Sequence, residues 1–488
     1  INFLGMQSIY YTRFESSFIN VQNLPYNSRF DNLGSATTID GVGSEYQKTT
    51  LVSFITRINY AYQDKYLVTL SDRWDGSSKL GKDNKWTSFP SVALAWRISA
   101  ENFMQSQPVF SSLKLRLSYG FVGNDNISPY LTQSNAGLLR KYDFGGTYSP
   151  GNEPTGLANK KLTWERSHEL DAGLDFGLIK GRIYGTVDIY NKLSEKLLMM
   201  RKLPTESGWG VIWDNVGSVR NKGVELTFTS VNVDGKNFYW TTSFNFTKNS
   251  NEIVELYGEK VDDIGNNWFI GEPVNVIYDY NMTGIWQESE RNQALTYGQL
   301  PGQARVQDVD NNKIIEARKD KLILGSPDPD WIGGFTTTFR YKNFDLSGSL
   351  YTKQGMFVLS GFHQNFANVD DRGRQKLDIN FYMPPNEMTP THISNEYPQP
   401  KNVGPYYQNV GYYRDASFIK VKNITLGYTF SNSVTNKLLL NNLRLYVNVL
   451  NPFVFTKYDG FDPEWADATY ANGGTSSVTY QFGINVKF

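Results

Sequence analysis

Val478–Phe488 reads VTYQFGINVKF. Val478, Tyr480, Phe482, Ile484, Val486 and Phe488 fall on one side of an extended chain, and Thr479, Gln481, Gly483, Asn485 and Lys487 on the other. A period of two gathers every apolar group on one strand face, whereas a helical period would scatter them. The alternation recurs upstream. Leu170, Ala172, Leu174 and Phe176 interleave with Glu169, Asp171, Gly173 and Asp175, and Leu113, Leu115, Leu117 and Tyr119 with Lys114, Arg116 and Ser118. One segment changes phase: Ile419 and Val421 are followed by Ile424, Leu426, Tyr428 and Phe430. That shift predicts a β-bulge near Lys422–Asn423, where one extra residue is absorbed.

About fourteen segments read this way, each near the ~10 residues that a tilted membrane strand needs. They lie near 1–12, 50–62, 65–74, 88–98, 111–122, 164–176, 182–193, 217–232, 237–248, 332–342, 344–354, 416–430, 442–450 and 478–488. The connections alternate between short and long. Tyr62–Lys65, Gly177–Gly181, Val233–Lys236 and Lys342–Asn343 are tight, and 99–110 and 431–441 are brief. Between them stand the long segments 13–49, 75–87, 123–163, 194–216, 249–331, 355–415 and 451–477. Antiparallel strands put alternate connections on opposite sides, so all the long ones share one side. The expectation is an all-β chain in which 1–488 forms one unit, a transmembrane antiparallel β-barrel wall with short periplasmic turns and long extracellular loops. The strand-like stretch 275–287 would break this parity, so it is assigned to a folded extracellular loop.

Composition agrees. The chain holds 31 Tyr, 30 Phe and 11 Trp, yet hydrophobic residues make up only 40% of it. A wall with one greasy and one wet face has this mixture, with Tyr and Trp at the interfaces. Lys and Arg total 48 and so do Asp and Glu, which argues against a nucleic-acid partner. Cysteine is absent, which excludes disulfides, thiolate metal sites and cysteine nucleophiles. No apolar run is long enough for a membrane helix.

Several stretches resemble the SusC/RagA-like TonB-linked outer-membrane proteins of Bacteroidota. They include Tyr60–Gly81 (YAYQDKYLVTLSDRWDGSSKLG), Trp86–Met104 (WTSFPSVALAWRISAENFM), Leu113–Asn124 (LKLRLSYGFVGN) and Leu162–Gly177 (LTWERSHELDAGLDFG). Asn215–Leu226 (NVGSVRNKGVEL), Gly325–Gly333 (GSPDPDWIG), Tyr413–Tyr428 (YRDASFIKVKNITLGY) and Leu443–Phe453 (LRLYVNVLNPF) continue the series. The resemblance implies the C-terminal part of a 22-stranded barrel in the bacterial outer membrane, with a plug domain and first strands outside this sequence. It further implies active import of an oligosaccharide or oligopeptide, a SusD-like surface lipoprotein as lid, and a TonB complex acting through the N-terminal region. The surrounding partner would be outer-membrane lipid. The alternatives are a TonB-dependent siderophore or vitamin receptor, and a non-transporting surface or adhesin barrel.

Candidate chemistry is sparse, and no catalytic set is read from it. Gly76–Lys82 has phosphate-loop spacing, but Asp83 stands where Ser or Thr should be and the segment joins two strands. Asp308, Asp310 and Asn312 occupy positions 1, 3 and 5 of a calcium loop, with Asp320 as a further oxygen donor. Lys313 replaces the turn Gly and Lys319 the bidentate Glu, so a solvated acidic loop is the competing reading. Trp286, Tyr406, Tyr407, Tyr412 and Tyr413 are candidates for stacking on a ligand, against ordinary loop packing. His168, His363 and His392 show no ligand spacing, and His168 is placed on the polar face of its strand. Lys114, Arg116, Glu169 and Asp171 are read as lumen-facing wall residues.

Overall fold

A computed structural model describes all residues except 27–31, 368–377, 386–391, 400–406, 408 and 468–474. Fourteen strands form one sheet, each paired antiparallel with the next in sequence. They are β1 (Asn2–Gln22), β2 (Thr38–Tyr62), β3 (Tyr66–Ser77), β4 (Trp86–Trp96), β5 (Phe110–Asn124), β6 (Glu165–Leu178) and β7 (Ile183–Glu195). The wall continues through β8 (Ser218–Asp234), β9 (Phe238–Glu255), β10 (Trp331–Tyr341), β11 (Phe344–Gln354), β12 (Phe418–Thr429), β13 (Asn442–Thr456) and β14 (Thr479–Lys487). Every segment expected from the alternation is a wall strand.

The bulge falls where the phase shift put it. Asn423 pairs with Ser349 and Val421 with Leu350, so Lys422 is left over. The stretch 275–287 stays off the wall: Ile277–Tyr280 pairs with Lys321–Gly325 and Met282–Ile285 with Ala304–Val306. The stretch 13–49 differs from the expectation of a loop. Its ends continue the β1–β2 ladder to Gln22 and Thr38. Beyond the membrane both faces of a hairpin meet water, so the pairing persists without the apolar alternation that would announce it.

Register fixes the faces. The outward row Leu115–Leu174–Val187–Leu226–Phe246 is wholly apolar. Phe54, Trp74 and Trp86 cluster at one end of the outward face, and Tyr62, Tyr66 and Trp96 stack at the other. The inward face carries ion pairs. Arg116 crosses over Gly173 to reach Asp175 at 2.8 Å and Asp188 at 2.6 Å. A Cβ on Gly173 would lie 2.5 Å from the guanidinium, so glycine is what lets it lie flat against the strand. Arg444 and Asp345 meet in the same way over Gly427.

His168 corrects the sequence reading. It pairs with Phe121 and lies beside Tyr119 and Phe121, on the outward face. Its parity is that of Leu170, two residues on. The Gly76–Lys82 segment is a packing element: Gly81 N–H donates to the Leu162 carbonyl at 2.9 Å, in a cluster built on Leu80, Phe89, Leu162 and Trp164.

Candidate functional site

The described parts of the long connections 249–331, 355–415 and 451–477 fold together on the side opposite the tight turns. Ile285, Ala304 and Tyr382 form a small core there, with Met282 and Tyr407 packed against it. Trp286 Nε1–H donates to Gln299, whose amide donates to the Tyr407 hydroxyl. The Tyr407 ring lies 4.7 Å from Tyr280. Burial pushes the Tyr407 hydroxyl up to about 12, so it stays protonated. Tyr413 sits in a short strand paired with Phe357–Leu359, and its hydroxyl donates to Asp279 at 2.7 Å. Asp279 also meets Lys321 at 3.0 Å. Burial first, and the Asp279 carboxylate second, raise the Tyr413 hydroxyl well above its ordinary range.

These elements enclose a cleft of about 680 Å³, walled by Tyr280, Phe357, Tyr397, Tyr413 and Arg414, with Asn395, Glu396 and Asp459 at its edge. Arg414 staples it. Its Nη2 donates to the Tyr397 hydroxyl at 2.6 Å, its Nη1 to the carbonyls of Gly411 and Tyr413, and its Nε reaches Asp459 at 3.3 Å. The arrangement offers a ligand aromatic faces, amides and two exposed carboxylates.

Beneath the cleft, residues far apart in sequence meet as Ser360, His363 and Asp459. Ser360 Oγ lies 2.7 Å from His363 Nδ1, and His363 Nε2 lies 3.0 Å from Asp459. In a hydrolytic triad the nucleophile faces Nε2 and the acid Nδ1, the reverse of this order. Ser360 is fully buried, caps the helix Gly361–Phe366 and also bonds Tyr458 at 2.7 Å. A hydroxyl sealed from solvent attacks no substrate; the group pins two loops together. Burial, reinforced by Arg414, lowers the His363 pKa, so the ring is neutral at pH 7.

Of the expected stacking residues, Tyr413 lines the cleft. Trp286 does not: it is 3% exposed, held between Tyr297 and Arg305. Tyr407 belongs to the edge of the loop core, Tyr412 is half-buried away from the cleft wall, and Tyr406 lies outside the described residues. Tyr280, Tyr397 and Arg414 were missed. Only Arg414 left a trace, as a cation beside the Tyr412–Tyr413 pair.

The acidic loop is a separate construction. Oxygens of Asp308, Asp310 and Asp320 lie within 4.8 Å of one another. Lys313 N–H donates to Asp308 at 2.8 Å, Asn312 N–H to Asp310 at 3.2 Å, and Ile314 N–H to Asn312 at 2.7 Å. Lys313 takes the left-handed turn itself, with φ 66°, where a calcium loop ordinarily uses Gly. Asp320 is fully buried and accepts from Val309 and Glu316 N–H, which ties the two ends of the loop. Partial burial works against the Asp308 charge, yet the amides of Lys313 and Asn312 hold its carboxyl below the usual range. Three converging carboxylates cradled by the loop's own amides fit a hard cation. Lys319, 3.8 Å from Asp310, opposes it.

Residues 2–452 match the family described as TonB dependent receptor-like, beta-barrel. The chain is similar to the TonB-dependent receptor SusC of Bacteroides thetaiotaomicron, 34% identical over 90% of this chain and 44% of that protein. It is also similar to the TonB-dependent receptor P3 of Formosa agariphila, 33% identical over 100% of this chain and 50% of that protein. Among solved structures it superposes on the RagAB peptide transporter with a TM-score of 0.79 and 24% identity, covering 100% of this chain and 53% of that one. That likeness bears on the fold alone. The chain spans about half the length of the curated relatives it matches.

Proposed function

Because this chain belongs to the TonB-dependent receptor-like β-barrel family, a family of the bacterial outer membrane, we propose that it forms the wall and mouth of an active importer. The cargo is a large nutrient, an oligosaccharide or oligopeptide, and the partners are a SusD-like surface lipoprotein and the TonB complex. The observation that carries the proposal is the cleft of about 680 Å³, built wholly from long extracellular connections on a wall of this family. Similarity to a SusC receptor and the fold shared with a peptide transporter support it. Tyr280 and Tyr413 would stack on cargo, with Tyr397 and Arg414 holding the wall behind them, and Glu396 and Asn395 would bond its polar groups. In cells carrying the full-length transporter, deleting TonB or the lipoprotein partner should abolish uptake. Uptake undiminished without TonB rules the proposal out.

Asp308, Asp310 and Asp320, with the Asn312 side chain, would hold a structural calcium ion. When bound, the ion would supply two positive charges against the three carboxylates and fasten the loop end to end. The chain's own amides do the orienting.

A further inference from the structure

Above the apolar band, one sector of the outward face turns basic. Pairing places Arg166 and His168 of β6, Arg220 and Lys222 of β8, and Lys248 of β9 on the same face as Leu170, Val224 and Phe246. Against these cations stand two carboxylates on the same patch, Glu195 and Glu252. Glu252 is shared between Arg220 at 2.8 Å and Lys222 at 3.9 Å. Lys248 is exposed and has no ion pair among the described residues. The Arg166 guanidinium lies 4.0 Å from the Phe121 ring centroid, and its Nε is buried without a hydrogen-bond partner among the described residues.

Height decides what this patch meets. Trp240, stacked on Phe339, lies toward the periplasmic end of the outward face. Lys248 is eight residues further along β9. At ~3.3 Å per residue and a tilt near 40°, it sits about 20 Å higher. Lys222, two residues above the level of Lys248, is then at about 25 Å, the height of a barrel's lipid-facing band. Lys222 and Lys248 thus lie near the level at which outer-leaflet headgroups begin, with Arg220 and Arg166 further out along their strands. The neighbouring sector is different. On the hydrogen-bonded rows that continue from Lys248 and Phe246, β10 to β13 present Trp331 and Gln354, then Gly333, Thr352, Ile419 and Phe455, without a cation.

We propose that the outward patch formed by Arg166, Arg220, Lys222 and Lys248 binds the phosphate groups of an outer-leaflet glycolipid. The acyl chains would lie on the apolar rows below, continuous with the lipid-facing wall. Basic side chains near a membrane surface gain from anionic headgroups, and cations on β6, β8 and β9, across a span of four neighbouring strands, match a phosphorylated disaccharide better than a single phosphate. The patch is charge-complementary to that lipid and faces away from the lumen, so it plays no part in holding cargo.

The test uses the purified full-length transporter in mild detergent, with native mass spectrometry of bound lipid. The probes are bisphosphorylated lipid A and the same lipid stripped of its phosphates. The phosphorylated form should bind preferentially, and Lys222→Gln/Lys248→Gln should lower its affinity about thirtyfold. Lys192→Gln removes an inward charge at the same height, since Lys192 pairs with Asn221, and should leave binding unchanged. Equal binding of both lipids overturns the proposal, as does an equal loss in the Lys192 variant. It also falls if the double variant keeps its lipid and instead loses self-association, since the patch would then be a contact between copies.

Discussion

Leu115 on the wall and Leu295 in the loop helix Arg291–Thr296 expose similar fractions of their surface, 44% and 54%. They do so to different solvents. Leu115 lies in an outward apolar row and faces lipid, so its exposure is the stable arrangement. Leu295 faces water, where an isolated apolar side chain is ordinary. The polar groups invert in the same way. On the wall they line the lumen and pair with the adjacent strand, as Arg116 does with Asp175. In the loops they form the interior: Asp320, Ser360, His363 and Asp462 are all buried. The wall is held by a repeating pattern against an apolar solvent, the mouth by particular polar contacts between distant segments.

Breaking one of those contacts should have the largest effect. Lys420 is 0% exposed and meets Asp462 at 3.0 Å and Glu464 at 2.8 Å, fastening the described part of the 457–477 connection onto β12. Burial works against both carboxylates, but Lys420 holds them below their ordinary range. Lys420→Met strands buried negative charge and should destabilise the mouth by about 3–5 kcal/mol. The pH dependence has a definite sign. Carboxyls depressed in the folded state contribute stability above their unfolded values and lose it as pH falls through the folded ones. Hydrogen exchange in 457–477 should therefore accelerate in the native protein below about pH 4. In the variant it should be fast already at pH 7; a slow, unchanged rate would mean that the cluster does not pin the loop.

The wall answers to a different substitution. Leu115→Arg puts a cation toward lipid and should cost about 2–4 kcal/mol near the bilayer centre. Leu295→Arg should stay within about 0.5 kcal/mol. Urea unfolding of the full-length protein in bilayers separates the two. Equal costs would remove the distinction between the two solvents. A third contrast lies within the mouth. If calcium sits in the acidic loop, millimolar calcium should raise the melting temperature, by about 2.7 kcal/mol of stabilisation at a hundredfold excess over Kd. Asp308→Asn should abolish that shift, and magnesium should not reproduce it. No calcium-dependent shift in the native protein would leave the loop as a solvated turn.

The same division explains what could be read from the chain. A wall strand declares itself because each residue's environment depends on parity, and its partner is the next strand along. Even the single leftover residue, Lys422, shows as a flip of phase. His168 is the exception, where polarity alone misleads: it shares the parity of Leu170 and so faces outward. The mouth gives no such signal. Tyr407 meets Gln299 across 108 residues and Tyr413 meets Asp279 across 134, and no local pattern records either pairing. Trp286 therefore looked available to a ligand when it is enclosed by Tyr297 and Arg305. The convergence of the acidic-loop residues is legible because their contacts are local, each side chain accepting from an amide a few residues on. Asp320 joins them because the loop closes on itself.

The smallest effect is expected on the opposite rim, where a loop-like contact occurs in a short connection. Glu101, between β4 and β5, accepts from the Tyr66 hydroxyl at 2.7 Å, from Lys65 at 3.0 Å and from Trp96 Nε1–H at 3.1 Å. Those three donors, Tyr66 foremost, lower its pKa to about 2. A depressed carboxyl stabilises above its unfolded value and loses that contribution as pH falls toward 2. Glu101→Gln keeps the shape and one acceptor oxygen but removes the charge. Its effect should be small at pH 7 and smaller still by pH 2, where the native residue is itself about half protonated. Tryptophan fluorescence reports on this directly, because Trp96 donates to the carboxylate. The native emission should shift between pH 4 and 2 while that of the variant stays flat. If both shift alike, the carboxylate is not what orders this rim, and the turns are fixed by the strand register alone.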